Sequence, residues 1–404
     1  MALEILKKLI QYPTITPLEH GIYDYIKTLL PSFEAIYSEK GGVKNIMLYR
    51  IPKDCNDTKS NLDSIPHFCF AGHIDVVHPG GEAIIPKDIN DNKDNEYNKG
   101  SWKFPPFTPT INNGYIYGRG TQDMKGGIAC FLSALKDFLE HNNPQIIFSI
   151  LLTSDEEGDG IYGTKYMLEI LKNKNMLPTH AIVAEPTSTK FAGDTIKVGR
   201  RGSINGIITI EGKQGHVAYP EKCNNPVELL GDKLGKLAGV YLDSGDDVFS
   251  ASKLVITDIR GGIEAVNVTP NDLKIMFNVR NSTMTTLQSV REYVDSVLIG
   301  LPYTLELTQS SKSFVTKDNT LISLVQNAIY EATKTMPELS TSGGTSDARF
   351  FSEYGVKVVE VGVCNDRIHA IDERVSLNDI ERLQNIFSIL LKSLNHIESK
   401  NLLM

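Results

Sequence analysis

Seven side chains that can ligate a metal ion or carry a proton lie near the ends of short apolar runs: His73, Asp75, Asp123, Glu156, Glu157, Glu185 and His369. This mixture of nitrogen and oxygen donors suits Zn²⁺, Co²⁺ or Mn²⁺ better than copper or an iron–sulfur cluster. Two ions about 3.5–4 Å apart need one bridging group and terminal ligands on each side. A central aspartate, two histidines and two glutamates meet that need. Each motif alone is more often a capped turn or a surface pair, but their joint occurrence favours a metal site.

The stretch Gly114–Ala129 organises the rest of the chain. A short apolar run, Tyr115–Tyr117, leads into a glycine-rich segment around Asp123, and a long helical pattern begins at Lys125. Glycines on both sides of the carboxylate predict a tight turn and a close approach of the backbone to a neighbour. Taken alone, such an aspartate could also be a helix cap.

Strands that position these side chains are indicated by continuous apolar runs. Phe68–Ala71, Ile146–Leu152 and Ala181–Ala184 are each followed directly by an acidic or histidine motif. Apolar strands that alternate with helical patterns predict an α/β fold with a mixed, mostly parallel sheet flanked by helices. Ligands of such sheets bind beyond the carboxyl ends of the strands. We therefore expect the motifs to meet at one edge of the sheet.

The pattern changes near Arg200 and returns to α/β type after Phe314. The intervening block predicts an inserted α+β domain at 202–311, between two parts of a catalytic domain at 1–201 and 312–404. Its predicted strands and helices are Ser203–Glu211, Asn225–Gly239, Lys253–Arg260, Leu273–Arg280 and Thr286–Ile299.

Composition limits the classes of partner. The chain has 404 residues and a net charge of −8, so no broad basic surface is expected to attract nucleic acid or an anionic membrane. No apolar run reaches the roughly 20 residues of a membrane span. Five cysteines without a C-x-x-C spacing indicate free thiols and a cytoplasmic protein. The polar segments Asp54–Ser64 and Lys87–Lys99 are predicted to be surface loops.

Nine motifs, in this order, resemble the M20 metallopeptidase family: Gly72–Val77, Gly118–Gly126, Ser154–Gly158, Glu185–Thr187, Gly199–Ser203, Gly215–Pro220, Asn267–Pro270, Phe277–Arg280 and Gly343–Asp347. The resemblance covers nearly the whole chain. It implies a zinc-exopeptidase-like catalytic domain, an inserted domain that forms a homodimer, and hydrolysis of a linear amide in a small-molecule substrate.

The same resemblance implies roles for the metal ligands. Asp123 would bridge two Zn²⁺ ions per subunit, for which Co²⁺ can substitute. His73 and Glu185 would complete one site, and Glu157 and His369 the other. The family also places a cis peptide bond after the bridging aspartate.

Three further side chains receive catalytic roles from the resemblance. Glu156 would be the general base. Asp75 would hold the imidazole of His73, as carboxylates commonly do for metal-bound histidines. His216 of a partner subunit would donate a hydrogen bond to the oxyanion.

Substrate contacts are implied within the matched motifs. Arg200 or Arg201 and Arg280 could grip substrate carboxylates with two hydrogen bonds, although surface ion pairs are the commoner fate of arginine. Single hydrogen bonds or close backbone contacts would come from Ser203, Tyr219, Asn267, Gly344, Thr345 and Ser346.

Two alternatives stay open. One is an acetylornithine deacetylase or an aminoacylase built on the same metal core. The other is a non-catalytic dimeric binding protein on this fold, which the full set of ligands and Glu156 argues against. A nucleotide-binding protein is excluded because no G-x-G-x-x-G or Walker pattern opens a helix.

Overall fold

The computed structural model describes residues 1–52, 65–80 and 102–396. The predicted surface loops Asp54–Ser64 and Lys87–Lys99 lie outside the described residues. The chain divides into two compact units, the first made of Met1–Val198, Thr316–Ser340 and Ser346–Met404, and the second of Gly199–Val315 and Thr341–Thr345. The predicted inserted block at 202–311 lies inside the second unit.

Helices in the described part of the chain are α1 Ala2–Ile10, α2 Ile22–Leu29, α3 Lys125–His141, α4 Thr164–Asn173, α5 Pro226–Leu230, α6 Leu234–Leu237, α7 Leu287–Val297, α8 Asn319–Thr333, α9 Ala348–Glu353 and α10 Leu377–His396. Short 3₁₀ turns occupy Pro220–Lys222 and Gly231–Lys233. None of these helices is both long enough and apolar enough to cross a membrane.

Strands in the same part are β1 Glu34–Lys40, β2 Val43–Arg50, β3 His67–His73, β4 Thr110–Asn112, β5 Tyr115–Tyr117, β6 Ile147–Thr153, β7 His180–Val183, β8 Thr195–Lys197, β9 Gly199–Arg200, β10 Gly202–Glu211, β11 Lys253–Gly261, β12 Asp272–Asn281, β13 Tyr303–Ser311, β14 Phe314–Val315, β15 Glu338–Ser340, β16 Lys357–Glu360 and β17 Arg374–Ser376.

A mixed sheet forms the centre of the first unit. Its strand order among the described residues is β1-β2-β6-β3-β7-β16-β8-β15. The central strands β6, β3, β7 and β16 are parallel neighbours, and β1 and β2 are added antiparallel at one edge. Strands β3, β6 and β7 are buried along their whole length, as expected where both faces of a sheet are covered. The predicted α/β fold class is confirmed.

Aromatic packing fixes the central strand β3 against two helices. Phe70 stacks on Phe131 of α3 with ring centroids 5.1 Å apart, and Phe387 of α10 meets it edge-on at 5.3 Å. Burial of one such side chain contributes roughly 1.5–3 kcal/mol. This packing holds the end of β3, where His73 lies, in a rigid setting.

The second unit is an antiparallel sheet with strand order β11-β12-β10-β13. Alternate residues of these strands pack on α7, in a core that includes Ile204, Phe277, Val290 and Val294. The Thr286 side chain accepts a hydrogen bond from the Ser289 backbone N–H and caps α7, which satisfies a donor that the first helical turn leaves unpaired.

Two element predictions are wrong in detail. The continuous helix expected over Asn225–Gly239 is broken into α5, a 3₁₀ turn and α6, because Gly231 adopts a positive φ of 37°. The strand Tyr303–Ser311 was not predicted, although it pairs with β10 along its length. Its side chains alternate between exposed and half-buried, so the chain lacks the continuous apolar run that marks the central strands.

Candidate metal centre

Three neighbouring parallel strands end at the same edge of the sheet. His73 is the last residue of β3 and is the register partner of Thr153, the last residue of β6. Glu156 and Glu157 follow β6, and Glu185 follows β7. The structure therefore brings these motifs together at the carboxyl ends of strands, where α/β proteins bind their ligands.

The turn that carries Asp123 is packed too closely to admit side chains at two glycines. A Cβ atom on Gly126 would lie 2.3 Å from the Thr121 carbonyl oxygen, and one on Gly127 would lie 2.2 Å from that of Ala184. Gly126 lets the start of α3 pack on the turn, and Gly127 lets it pack directly against the residue that precedes Glu185. The Asp123–Met124 peptide bond is cis.

The carboxylate of Asp123 lies between two imidazoles. Its Oδ1 is 3.1 Å from His73 Nε2, and its Oδ2 is 3.3 Å from His369 Nε2. Ligand atoms that share one tetrahedral Zn²⁺, with bonds of about 2.0–2.1 Å, lie about 3.3 Å from each other. Each oxygen of the carboxylate is thus placed to share an ion with a different histidine.

One further carboxylate lies beside each imidazole. Glu185 Oε1 is 3.8 Å from His73 Nε2, and Glu157 Oε1 is 2.8 Å from His369 Nε2. Ligand atoms of His73, Asp123 and Glu157 also lie within 4.8 Å of one another, so the donor groups of the two histidines adjoin at Asp123. The donor atoms fit two cations on either side of Asp123.

Asp75 contacts both the histidine and the loop that follows β6. Its backbone carbonyl oxygen is 2.9 Å from His73 Nδ1, whereas its carboxylate Oδ1 is 3.5 Å away. The two carboxylate oxygens accept hydrogen bonds from the backbone N–H groups of Glu156, at 3.4 Å, and Glu157, at 3.0 Å. Asp75 therefore orients the ring chiefly through its main chain and positions the acidic loop through its side chain.

The charged groups of the site change one another's pKa values. Hydrogen bonds to Asp123 and Glu157 raise the pKa of His369 to about 10. Burial opposes ionisation of Asp123, but hydrogen bonds with His369 and His73 outweigh it and hold the pKa of that carboxyl well below its usual range. The same contacts favour the protonated form of the His369 imidazole, and because metal ligands must be deprotonated, a bound cation would take the place of that proton.

Glu156 has the opposite perturbation. Burial raises the pKa of this carboxyl well above its usual value, and the nearby negative charges of Glu185 and Asp347 add to the effect. Asp347 is itself buried, and burial raises its pKa to about 6. A raised pKa makes the carboxylate a stronger base than that of an ordinary glutamate, which suits it to accept a proton.

Sequence reasoning missed the Arg119–Glu373 pair. Both side chains are buried, and Arg119 Nη1 lies 2.8 Å from Glu373 Oε2. One signal was present, because an arginine between Gly118 and Gly120 in a tight turn needs a buried acceptor. The identity of that acceptor, 254 positions along the chain, could not be found from local pattern.

His216 lies in the second unit and is exposed. Its Nδ1 accepts a hydrogen bond from the Ala218 backbone N–H at 3.1 Å, so the neutral ring carries its proton on Nε2. The Tyr219 ring is 6.0 Å from the imidazole and is also exposed. Asn267 is also exposed, and its backbone carbonyl oxygen accepts a hydrogen bond from the Val217 backbone N–H.

The arginines predicted to bind substrate differ in exposure. Arg200 is buried and donates to the Ser342 carbonyl oxygen at 3.2 Å, whereas Arg201 is half-buried and Arg280 is exposed. Arg280 is the register partner of Ser203, so both side chains lie on one face of the sheet.

The segment with the sequence GGTS divides between the two units. Gly344 is exposed, and Thr345 Oγ1 lies 2.9 Å from Ser311 Oγ in the second unit. Ser346 belongs to the first unit, where its buried hydroxyl donates to Glu360 Oε1 at 2.6 Å.

A mixed α/β sheet whose strand ends gather two histidines and several carboxylates is the architecture of a metal-dependent hydrolase. The family model described as Peptidase family M20/M25/M40 matches residues 69–393. The chain belongs to this family and is a hydrolase that acts on an amide bond, as the sequence resemblance predicted.

The chain is also similar to individual proteins in sequence and in fold. The chain is 56% identical over 399 residues to the succinyl-diaminopimelate desuccinylase of Helicobacter hepaticus, an alignment that covers 96% of each protein. Its fold is similar to that of aminopeptidase PepT from Bacillus cereus, with a TM-score of 0.76, 18% identity and 97% and 98% of the two chains covered. A dinuclear metal-binding M20 peptidase from Bacillus subtilis has a TM-score of 0.65 at 12% identity, with 98% of each chain covered.

Proposed function

We propose that this protein hydrolyses N-succinyl-LL-2,6-diaminopimelate to succinate and LL-2,6-diaminopimelate, a step that supplies lysine and peptidoglycan precursors. The observation that carries the proposal is the Asp123 carboxylate, which has one oxygen 3.1 Å from His73 and the other 3.3 Å from His369. A carboxylate with this placement can serve both ions of a dinuclear hydrolase, whose metals lie about 3.5–4 Å apart. The succinyl substrate is favoured over N-acetylornithine by the 56% identity to a desuccinylase.

The residues around Asp123 would hold two divalent cations. His73 and Glu185 would serve one ion, and His369 and Glu157 the other. Imidazole and carboxylate donors fit Zn²⁺, and Co²⁺ accepts the same ligands. Two bound ions would acidify a water molecule and polarise the substrate carbonyl.

Glu156 would move the proton. Glu156 lies in the loop after β6, directly before Glu157, and its backbone N–H donates a hydrogen bond to the Asp75 carboxylate. It would take a proton from the attacking water and deliver it to the amine that leaves. The raised pKa of Glu156 supports the first step, since it makes the carboxylate a stronger base than that of an ordinary glutamate.

His216 would stabilise the oxyanion in the active site of a partner subunit. Its Nε2–H is directed away from the backbone because Ala218 already occupies Nδ1. The homodimer would form through the second unit, whose edge strand β11 exposes Val255 and Ile259. Exposed apolar side chains on an edge strand favour pairing with a second copy.

Arg280, together with Arg200 or Arg201, would recognise the substrate carboxylates. The exposed guanidinium of Arg280 shares a face with Ser203 and so offers a bidentate donor beside a hydroxyl. Tyr219, Asn267, Gly344 and Thr345 would contribute single contacts, and buried Ser346 would act by holding its segment in place.

A substrate panel tests the proposed specificity. Protein stripped of metal with a chelator and reloaded with Zn²⁺ is assayed on N-succinyl-LL-2,6-diaminopimelate and on N-acetylornithine. We expect succinate release to disappear on chelation, to return with Zn²⁺, and to have the higher kcat/KM of the two reactions. Faster turnover of N-acetylornithine would show that the chain is a deacetylase of the same family.

A further inference from the structure

Arg119 and Glu373 form a buried ion pair next to the candidate metal centre. Their side chains are 2% and 1% exposed, and the guanidinium Nη1 lies 2.8 Å from the carboxylate Oε2. The guanidinium also lies over the ring of Trp102, 5.0 Å from its centroid. The cost of removing two charges from water largely cancels the stability that a buried ion pair contributes. The role of this pair is therefore sought in the other hydrogen bonds that the two side chains make.

Glu373 holds the turn that carries Asp123. Its Oε2 accepts a hydrogen bond from the Gly120 backbone N–H at 2.9 Å. Its Oε1 accepts from Gln122 at 2.8 Å and from Asp123 itself at 3.2 Å. One carboxylate thus fixes three backbone groups of the turn, including that of the proposed bridging ligand.

Arg119 holds the loop that carries His369. Its guanidinium donates to the carbonyl oxygens of Ala370, at 3.1 Å, and His369, at 3.4 Å. His369 has a φ of 59°, in the left-handed region that a residue with a Cβ atom rarely adopts. Hydrogen bonds to the carbonyl of His369 and to that of the next residue keep the backbone in this disfavoured conformation and direct the imidazole toward Asp123.

We propose that Arg119 and Glu373 are positioning residues that fix Asp123 and His369 relative to each other and thereby set the metal affinity of the site. Neither side chain reaches the proposed donor atoms of the ligands; both act through the backbone. The inference rests on the proposed dinuclear site. Partners that orient metal ligands typically change metal affinity by about 10–100-fold when they are altered.

The contacts predict an asymmetry between the two residues. Glu373 binds the backbone of Asp123, which would serve both ions, so its loss weakens both metal sites. Arg119 contacts the backbone of His369, which would serve one ion, so its loss weakens one site more than the other.

The test compares Arg119→Lys and Glu373→Gln with Arg382→Lys as the matched control. Lysine keeps the positive charge of Arg119, but its single ammonium cannot reach the carboxylate and both carbonyls together. Glutamine keeps the shape of Glu373 but loses its charge and one acceptor. Arg382 pairs with Asp379 at 2.8 Å on α10, in contact with no proposed ligand.

Zn²⁺ affinity is measured by chelator competition, and Co²⁺ absorption reports ligand geometry, both well below the melting temperature of each variant. We expect about 10–100-fold weaker binding at both sites in Glu373→Gln, at one site in Arg119→Lys, and wild-type binding in the control. The Co²⁺ spectrum changes only in the first two variants. If either single variant does not fold, the uncharged double variant Arg119→Met/Glu373→Gln replaces it and is expected to bind both ions weakly.

Unchanged affinities and Co²⁺ spectra in folded variants overturn the positioning role and leave the pair a purely structural one. Weakening of the same size in Arg382→Lys overturns it as well. Failure of the wild-type protein to bind two ions is a separate result, because it refutes the dinuclear site on which the inference rests.

Discussion

Replacing Glu156 with glutamine tests the assignment of the general base. The two side chains have the same size, but the amide cannot accept a proton at working pH. The backbone around the site should not move, because the Glu156 and Glu157 N–H groups are anchored on Asp75 at 3.4 and 3.0 Å. Glu157 therefore keeps its place beside His369, and we expect the variant to bind both metals.

The size of the effect follows from these contacts. Since ligand geometry is retained, the loss is confined to proton transfer, which typically contributes about 10²–10⁴-fold. This corresponds to about 2.7–5.4 kcal/mol of transition-state stabilisation. We expect the loss to appear in kcat, with a KM close to that of the wild type, because no substrate contact is assigned to Glu156.

The assay combines metal analysis of the purified variant with succinate release from the succinyl substrate. Full metal content with kcat reduced by two orders of magnitude or more agrees with the assignment. Full metal content with nearly normal kcat refutes it, since the proton would then be taken by another group. Loss of metal would mean that Glu156 is a ligand instead.

Three further perturbations test other parts of the account. Asp123→Ala should lose both metals whereas His369→Ala mainly loses one, as measured by metal analysis; equal loss of a single metal in both would contradict the bridging role. Inactive His216→Ala and Glu156→Gln proteins are mixed in equal amounts under verified subunit exchange. About one quarter of wild-type activity should return, because half of the dimers are mixed and each of these has one intact site out of two. No recovery would place His216 in its own subunit's site or outside catalysis. Burial lowers the pKa of His67 from 6.5 to about 3, so unfolding takes up a proton at pH values between these two. The free energy of unfolding therefore falls with decreasing pH in this range, by up to about 1.4 kcal/mol per pH unit. Denaturant titrations at several pH values should show that His67→Leu lacks this contribution, and an unchanged dependence of the unfolding free energy on pH would contradict it.

The central part of the fold was predictable because its signals are local. Continuous apolar runs marked β3, β6 and β7, and each was followed by its acidic or histidine motif. The glycines around Asp123 predicted the tight turn, and the structure shows close backbone contacts at Gly126 and Gly127. The motif order was sufficient to predict the family.

Other features of the fold and the site depend on strand order, backbone conformation or contacts between distant residues, which local sequence patterns do not reveal. Strands β1 and β13 lie at sheet edges and carry many exposed side chains, so they lack an apolar run. Gly231 breaks the expected helix through a backbone conformation that helical spacing does not reveal. Glu373 reaches the turn of Asp123 from 250 positions away, and only the folded chain shows that the two meet.

A Zn²⁺ titration of protein stripped of metal with a chelator is the decisive test of the dinuclear hydrolase. Bound metal and succinate release from N-succinyl-LL-2,6-diaminopimelate are measured on the same samples. We expect no turnover without metal and activity that rises until two ions are bound per chain. Two bound ions without hydrolysis of this substrate, or full hydrolysis by the metal-free protein, would contradict it.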